Sequence, residues 1–248
     1  MLVTGAGSGI GRSTAVEVAQ RGGAALAFDL SGDGLAETAA LVHAAGGSIE
    51  PVIGDVGDED AVAGAVARAI GAFGRLDGVV TSAGIFAGDD LQPLENISLD
   101  TFLHVLRVNL AGTFLVVKHA LPHLRRDEGE RTGSVVTIAS TAAIRGHGFG
   151  AGYTASKGGV AAFTRLVAVQ GGPQGIRANC ICPGGVDTPM AAGSWSTDVA
   201  RARLKRTVPL GCVAQAEDIA SVVGFLLSDA ARHLTGQVLA VDGGATST

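Results

Sequence analysis

Short apolar runs alternate with longer segments of helical periodicity along the whole chain of 248 residues. Such alternation is typical of βαβ units, in which helices join parallel strands and cover both faces of a sheet. The pattern therefore predicts an α/β fold with a seven-stranded, mostly parallel, doubly wound sheet. The predicted strands are Leu2–Thr4, Ala24–Asp29, Ser48–Gly54, Leu76–Thr81, Ser134–Ala139, Arg177–Cys182 and Gln237–Val241. The predicted helices are Ile10–Arg21, Leu35–Ala45, Glu59–Phe73, Leu99–Leu124, Gly152–Val169 and Glu217–Leu227.

No linker, internal repeat or break in composition divides the chain, so residues 1–248 are expected to form one domain. The segment Gly184–Val208 contains Pro189 and the only tryptophan, and it fits neither the helical nor the strand period. Ligands bind beyond the carboxyl ends of the strands in sheets of this kind. Since the segment follows a late strand, we expect it to form a loop or lid over a substrate site.

Composition excludes several classes of protein. Hydrophobic residues make up 47% and charged residues 17% of the chain, which argues against disorder. The net charge of −5 argues against nucleic acid as a partner. No uninterrupted apolar stretch approaches the roughly 18 residues of a membrane span, and no signal peptide is evident, so we expect neither a membrane partner nor secretion. Three cysteines make no disulfide framework and favour the cytoplasm.

A glycine-rich turn, Thr4-Gly5-Ala6-Gly7-Ser8-Gly9-Ile10-Gly11, joins the first predicted strand and helix. Glycine lets the backbone approach a pyrophosphate, whose charge is then stabilised by free N–H groups and the positive end of the helix dipole. The pattern G-x-G-x-x-G is not met, because its third glycine would fall on Ile10 or Arg12. A reversal between strand and helix also needs glycine, so this turn alone leaves both interpretations open.

An acidic residue, Asp29, ends the second predicted strand. It lies 18 residues after Gly11, close to the spacing of about 20 for a carboxylate that binds the ribose hydroxyls of a dinucleotide. A carboxylate repels the 2′-phosphate of NADP(H), and Leu30 offers no guanidinium to receive one. NAD(H) is therefore the predicted cofactor, and a solvated aspartate at a strand end is the alternative.

Tyr153, the only tyrosine, precedes Lys157 by four residues, which places both on one face of the predicted helix. A nearby ammonium stabilises a phenolate, so we expect the pKa of Tyr153 to fall from about 10 toward the working pH. A general acid or base for proton transfer to a carbonyl oxygen needs such a pKa. An ordinary surface pair is the alternative. His119 and His123 share the same spacing, but no glutamate completes a zinc motif, so we expect no metal.

Further motifs follow in order along the chain. They are T-G-x-x-x-G-x-G from Thr4, N-x-x-G at Asn109, Ser140 thirteen residues before Tyr153 in Y-x-x-x-K, P-G-x-[IV]-x-T from Pro183, and V-D-G-G from Val241. Together they resemble the short-chain dehydrogenase/reductase family over most of the chain. The resemblance implies a Rossmann-type sheet with strand order 3-2-1-4-5-6-7. Relatives usually carry several more residues before the glycine turn, so we expect a short first strand or a natural chain that begins further upstream.

The resemblance also implies roles for individual residues. Ser140 would bind the substrate carbonyl oxygen, Tyr153 would pass the proton, and Lys157 would tune Tyr153 and hold the nicotinamide ribose. Asn109 would hold a water of the proton relay, although a plain core hydrogen bond is the alternative. The implied cofactor-binding residues are Gly5, Ser8, Gly9, Ile10, Gly11, Asp29, Leu30, Asp55, Val56, Ser82, Ala83, Gly84, Tyr153, Lys157, Pro183, Gly184, Val186 and Thr188. Ser82 departs from the family pattern, where an asparagine is common.

Apolar residues around the implied active site suggest the walls of a substrate pocket. Candidates are Phe86, His147, Phe149, Met190 and Trp195. Arg145, in the same region, would receive a carboxylate or would simply be an exposed loop arginine.

The expected activity is NAD(H)-dependent hydride transfer between nicotinamide and a small or medium ketone or secondary alcohol, such as a diol, sugar or hydroxy compound. A 3-oxoacyl-thioester reductase is the alternative within enzymes, and a non-catalytic dinucleotide-binding protein is the alternative outside them. A homotetramer is expected from the resemblance.

Overall fold

The computed structural model describes residues 1–125, 133–146, 149–195 and 197–247. Seven parallel strands form one sheet in the order β3-β2-β1-β4-β5-β6-β9, and β7 pairs with β8 in a separate two-stranded sheet. This confirms the predicted fold class and strand order, with β9 as the last strand of the main sheet. The strands are β1 Leu2–Thr4, β2 Ala24–Asp29, β3 Ser48–Ile53, β4 Gly78–Thr81, β5 Gly133–Ile138, β6 Ile176–Pro183, β7 Val186–Asp187, β8 Ala214–Gln215 and β9 Val238–Val241.

Eight α-helices are found in the described ranges: α1 Gly9–Gln20, α2 Gly32–Ala44, α3 Glu59–Phe73, α4 Leu99–Leu106, α5 Gly112–Leu124, α6 Ala151–Gly171, α7 Asp198–Thr207 and α8 Ala216–Leu227. Local chemistry sets several of their ends. Asp58 accepts hydrogen bonds from the backbone of Asp60 and Ala61 at the start of α3. Gly22 and Gly46 follow α1 and α2 with φ of 78° and 75°, a region that favours glycine.

Two parts of the chain differ from the sequence-based prediction. The predicted helix Leu99–Leu124 is continuous but contains a π turn at Arg107–Ala111, between α4 and α5. The segment Gly184–Val208, expected to be irregular, contains β7 and α7. Helix α7 escaped prediction because it carries four basic residues and few apolar ones, so it lacks an apolar stripe.

The core lies on both faces of the sheet. Adjacent residues of a strand point to opposite faces, so Val3 belongs to a cluster with α1, α2 and α8, while Leu2 belongs to a cluster with α3, α5 and α6. Both clusters contain many fully buried aliphatic side chains. The double cover explains why most strands are continuously apolar.

The helical run Leu99–Leu124 is long and apolar enough to cross a membrane by length and composition alone. The core helix of a globular domain passes the same test, and 33% of its most apolar window is buried within this chain. Val105, Val116 and Val117 lie on the buried side. The outer side carries exposed Leu99 and Leu103.

Candidate active site

A cavity of about 940 Å³ runs along the carboxyl ends of the strands. It extends from the turn after β1 to the start of α6, so the predicted cofactor and catalytic residues share one cleft. The predicted residues that line it are Gly5, Ser8, Gly9, Ile10, Asp29, Leu30, Asp55, Val56, Ser82, Ala83, Gly84, Phe86, Ser140, Phe149, Tyr153, Lys157, Pro183, Gly184, Val186, Thr188 and Met190. Gly11 and Asn109 lie behind this lining.

The turn after β1 is packed so tightly that Gly5 and Gly11 have no room for a side chain. A Cβ on Gly11 would lie 2.1 Å from the carbonyl oxygen of Gly5, and one on Gly5 would lie 2.7 Å from the backbone nitrogen of Ala83. Gly5 also has a φ of 65°. Ser8 precedes α1, and its side chain makes no capping hydrogen bond. The first turn of α1 therefore presents backbone N–H groups to the cleft, as a pyrophosphate requires.

Two carboxylates lie at the neighbouring strand ends. Asp29 accepts hydrogen bonds from the backbone of Gly7 and Ser31, both at 2.9 Å. Asp55 accepts one from the backbone of Gly57 at 2.7 Å and lies 3.0 Å from the Arg107 guanidinium. This end of the cleft therefore carries two carboxylates, of which Asp55 is paired with Arg107.

The turn after β4 is held differently from the family pattern. Ala83 donates its backbone N–H to Thr4 Oγ1 at 3.2 Å. No hydrogen bond of the Ser82 side chain is found in the described part of the chain. The Thr4 hydroxyl is therefore the side-chain group that binds this turn. The other wall of the cleft contains Thr188, whose side chain lies 3.2 Å from the Cβ position of Gly9.

Ser140, Tyr153 and Lys157 meet at the end of the cleft opposite the carboxylates. Tyr153 and Ser140 are both buried, and the Ser140 hydroxyl lies close enough to the phenol to lower its pKa. Lys157 lies with Nζ 5.7 Å from the centroid of the Tyr153 ring and donates a hydrogen bond to the backbone oxygen of Ile138 at 3.0 Å. The helical spacing of Tyr153 and Lys157 thus places both side chains beside Ser140. Both are buried, which excludes the interpretation of the two residues as an ordinary surface pair.

Burial dominates the protonation of this group. Removal of the phenol from water raises the pKa of Tyr153 above its usual value, and the hydrogen bond with Ser140 offsets part of the shift. Burial also lowers the pKa of Lys157 to about 8. The expected fall in the pKa of Tyr153 is therefore not found in this arrangement, because burial outweighs the effect of Ser140 and Lys157 is not among the groups that shift this pKa.

Asn109 lies in the π turn and is fully buried. Its side chain accepts a hydrogen bond from the backbone of Ile85 and donates to the Ile85 oxygen and to Ser156 Oγ. The Cβ position of Gly84 lies 3.2 Å from Asn109 Oδ1 and 3.4 Å from Lys157 Nζ. The side chain thus shapes the turn beside Lys157, and a role in holding a relay water stays a prediction.

Asp90 was not foreseen from the sequence. It is fully buried, and its two carboxylate oxygens accept hydrogen bonds from the backbone of Gly152 at 2.7 Å and Tyr153 at 2.8 Å. This caps the helix that carries Tyr153. The neighbouring Gly150 has no room for a side chain, since its Cβ position lies 2.2 Å from the Asp90 carboxylate.

Aromatic side chains flank Tyr153. Phe86 contacts it edge to face at a centroid distance of 5.2 Å, and Phe149 stacks on it at 5.7 Å. Met190 lines the same end of the cavity. His147 lies outside the described residues, and the side chain of Trp195 is likewise not described.

Comparison with known proteins adds to this geometry. A family model described as enoyl-(acyl carrier protein) reductase matches residues 5–246. The chain is 39% identical to cis-4-hydroxycyclohexanecarboxylate dehydrogenase of Sinomonas cyclohexanicum over 99% of this chain and 96% of that protein. It is 33% identical to 3-oxoacyl-[acyl-carrier-protein] reductase of Thermotoga maritima over 98% of this chain and 96% of that protein.

Solved structures are similar as well. Levodione reductase superposes with a TM-score of 0.93 and 36% identity, covering all of this chain and 97% of that one. A variant of actinorhodin polyketide ketoreductase with NADPH has a TM-score of 0.90 and 31% identity, with the same coverage.

Proposed function

The chain belongs to the short-chain dehydrogenase/reductase family, and from that premise we propose that it interconverts a cyclic secondary alcohol and its ketone with NAD(H). It is an oxidoreductase that acts on hydroxyl or carbonyl groups of a small molecule and binds a nicotinamide dinucleotide. One observation carries the proposal: the buried residues Ser140, Tyr153 and Lys157 lie in the same cleft as the glycine turn.

The residues of the cleft fit a dinucleotide. The glycine turn would hold the pyrophosphate, since its backbone leaves no room for side chains. Asp29 would bind the ribose of the adenosine half, and its charge supports NAD(H) over NADP(H). Asp55 and Val56 would contact the adenine, while Val186 and Thr188 would contact the carboxamide of the nicotinamide.

When bound, the nicotinamide supplies the acceptor or donor of hydride at the substrate carbon. The Ser140 hydroxyl would donate a hydrogen bond to the substrate oxygen and stabilise the charge that develops on it. Tyr153 would give its proton to that oxygen during reduction and take it back during oxidation. The raised pKa of Tyr153 keeps the phenol protonated, as reduction requires. Lys157 would bind the ribose of the nicotinamide half.

Tyr153→Phe is the test of this assignment. The variant should bind NADH with nearly unchanged affinity, measured by fluorescence, because the ring keeps its packing and only the hydroxyl is lost. The steady-state rate with cyclohexanol and NAD should fall by roughly 10²-fold or more, since proton transfer by a positioned side chain contributes about that factor. Turnover within tenfold of the unmodified enzyme would exclude Tyr153 as the proton donor.

A 3-oxoacyl-thioester reductase remains the second candidate, because helix α7 carries four basic residues in its sequence and Ala200 and Thr207 of this helix line the cavity. A helix with a basic sequence beside the cavity would suit an acidic carrier protein. Kinetics with 3-oxobutyryl-N-acetylcysteamine and NADPH, compared with cyclohexanol and NAD, separates the two functions. A higher kcat/KM for the thioester would favour the second.

We further propose a homotetramer in the cytoplasm. Five large apolar residues on α4, α5 and α6 are exposed, and burial between copies would remove them from water. They are Leu99, Leu103, Phe114, Leu166 and Val169. Cys180, Cys182 and Cys212 are free thiols, which supports a reducing compartment. Light scattering after size exclusion tests the assembly, and a monomer would contradict it.

A further inference from the structure

Arg145 is a charged side chain at the substrate end of the cavity. It follows Ser140 by five residues, and its backbone N–H donates to the carbonyl oxygen of Thr141. The guanidinium lines the cavity and is half-buried. Its Nη1 donates to the backbone oxygen of Ala245, which also lines the cavity. The arginine is therefore fixed by the chain and does not extend freely into solvent, which resolves the alternative of an exposed loop arginine.

The charge of Arg145 acts on one described carboxylate, Asp242, and lowers its pKa without forming an ion pair with it. None of the ion pairs in the described part of the chain includes it. The oxygens of Asp242 accept hydrogen bonds from the backbone of Gly244 at 2.9 Å and Thr246 at 2.8 Å. Asp242 thus holds the chain that follows β9, and in the described part of the chain the Arg145 guanidinium makes no direct ion pair with a carboxylate.

Four charged residues occur among the described residues that line the cavity. Asp29 and Asp55 lie at the adenosine end, and Lys157 is buried against Tyr153. Arg145 is therefore the cation offered to a substrate. Around it the walls are apolar, with Phe86, Phe149 and Met190 among them.

We propose that the substrate carries a carboxylate and that Arg145 binds it, so that the enzyme acts on a cyclic hydroxy acid or oxo acid. The proposal rests on the proposed function and names its substrate class. A guanidinium recognises a carboxylate with two parallel N–H donors, and an apolar surround strengthens the pairing. The apolar walls would contact the ring, and the ionic group would fix which carbon faces Ser140 and Tyr153.

A matched set of substrates tests the proposal with NAD as cofactor. The set is cis-4-hydroxycyclohexanecarboxylate, its neutral methyl ester and cyclohexanol. The unmodified enzyme should prefer the acid over the ester by about 10- to 100-fold in kcat/KM, the range for a hydrogen-bonded charge. Arg145→Gln, which removes the charge and keeps a polar amide, should abolish this preference and leave the kcat/KM for the ester within about twofold. Arg145→Lys should keep part of the preference.

Arg232→Met is the control, because this exposed arginine lies outside the cavity lining and its loss changes the net charge equally. The control should keep the full preference. Equal kcat/KM for acid and ester in the unmodified enzyme would overturn the proposal. So would an Arg145→Gln variant that loses both activities together, since the arginine would then only clamp the chain after β9.

Binding measured without turnover separates this proposal from the proposed function. Calorimetry should show that cyclohexanecarboxylate binds the unmodified protein with NADH at least tenfold more tightly than cyclohexanecarboxamide, and that Arg145→Gln removes the difference. If no alcohol is oxidised but this difference is found, the proposed function fails and the carboxylate site stands. If cyclohexanol is oxidised and the difference is absent, the carboxylate site fails alone.

Discussion

Replacement of Asp90 by alanine is expected to destabilise the protein and to displace the helix that carries Tyr153. The side chain is fully buried and accepts two backbone hydrogen bonds at 2.7 and 2.8 Å. A hydrogen bond to a charged group contributes about 1.5–3 kcal/mol, and loss of a helix cap alone costs about 0.5–2 kcal/mol. Because the two bonds share one carboxylate, we expect a total loss of about 3–4 kcal/mol rather than a simple doubling.

For a chain of this size each kcal/mol lowers the Tm by roughly 2–4 °C, so Asp90→Ala should lower it by about 10 °C. Differential scanning calorimetry at equal protein concentration measures this, since assembly makes the Tm depend on concentration. Asp90→Asn keeps one acceptor oxygen and should lose about half as much. Its kcat should fall more than its affinity for NADH, because only one of the backbone N–H groups of Gly152 and Tyr153 would keep its acceptor.

The neighbouring Asp89 provides the matched control, since it is exposed and lies in the same short helical turn. Asp89→Ala should change the Tm by no more than about 1–2 °C, as is usual for surface substitutions. An Asp90→Ala variant as stable as Asp89→Ala would refute the role of the buried cap.

The other predictions concern the cofactor cleft. Asp29→Asn should raise the ratio of kcat/KM with NADP to kcat/KM with NAD by at least tenfold. Asp33→Asn, an exposed control in α2, should leave this ratio unchanged. The same ratio in both variants would refute the role of Asp29. Gly11→Ala should abolish dinucleotide binding in a fluorescence titration, because its Cβ would lie 2.1 Å from a backbone oxygen. Gly64→Ala in α3 is the control: its Cβ meets nothing within 4 Å, and the variant should raise the free energy of unfolding by about 0.5–1 kcal/mol. The pKa of Lys157 is lowered from 10.5 to about 8, so between these values the unfolded chain binds more protons and stability rises with pH. Relative to Lys157→Met, the unfolding free energy in urea should rise by about 3 kcal/mol across that window, and a flat or falling difference would contradict the shift.

Much of the fold can be predicted from the sequence, because the helical and the strand periodicity of apolar residues are both local patterns. Alternating apolar and helical runs place the strands of the main sheet within one or two residues, and glycines end the early helices. The positions of Ser140 and Tyr153 follow from this, since each lies at the end or start of a regular element. The cleft that joins them to the glycine turn is a consequence of parallel strands ending at one edge.

Other features depend on contacts that no local pattern reveals. Asp90 binds a backbone 62 residues away, so nothing near it in the sequence indicates a buried carboxylate. The π turn at Arg107–Ala111 keeps the apolar character of a helix, and its extra residue leaves no compositional trace. The pKa of Tyr153 depends on burial in the folded chain, whereas spacing reveals only the nearby cation.

Arg145 and the chain after β9 meet at the substrate end of the cavity although they are 100 residues apart, and neither belongs to a strand of the main sheet. Changes in these two segments therefore leave the strands that place Ser140 and the glycine turn untouched. For directed evolution, the positions that we expect to determine stereoselectivity are therefore different from those that we expect to determine turnover. A small combinatorial library at Arg145, Phe149, Met190 and Ala245 would accordingly explore new chiral alcohols while most of its members still fold and bind the coenzyme.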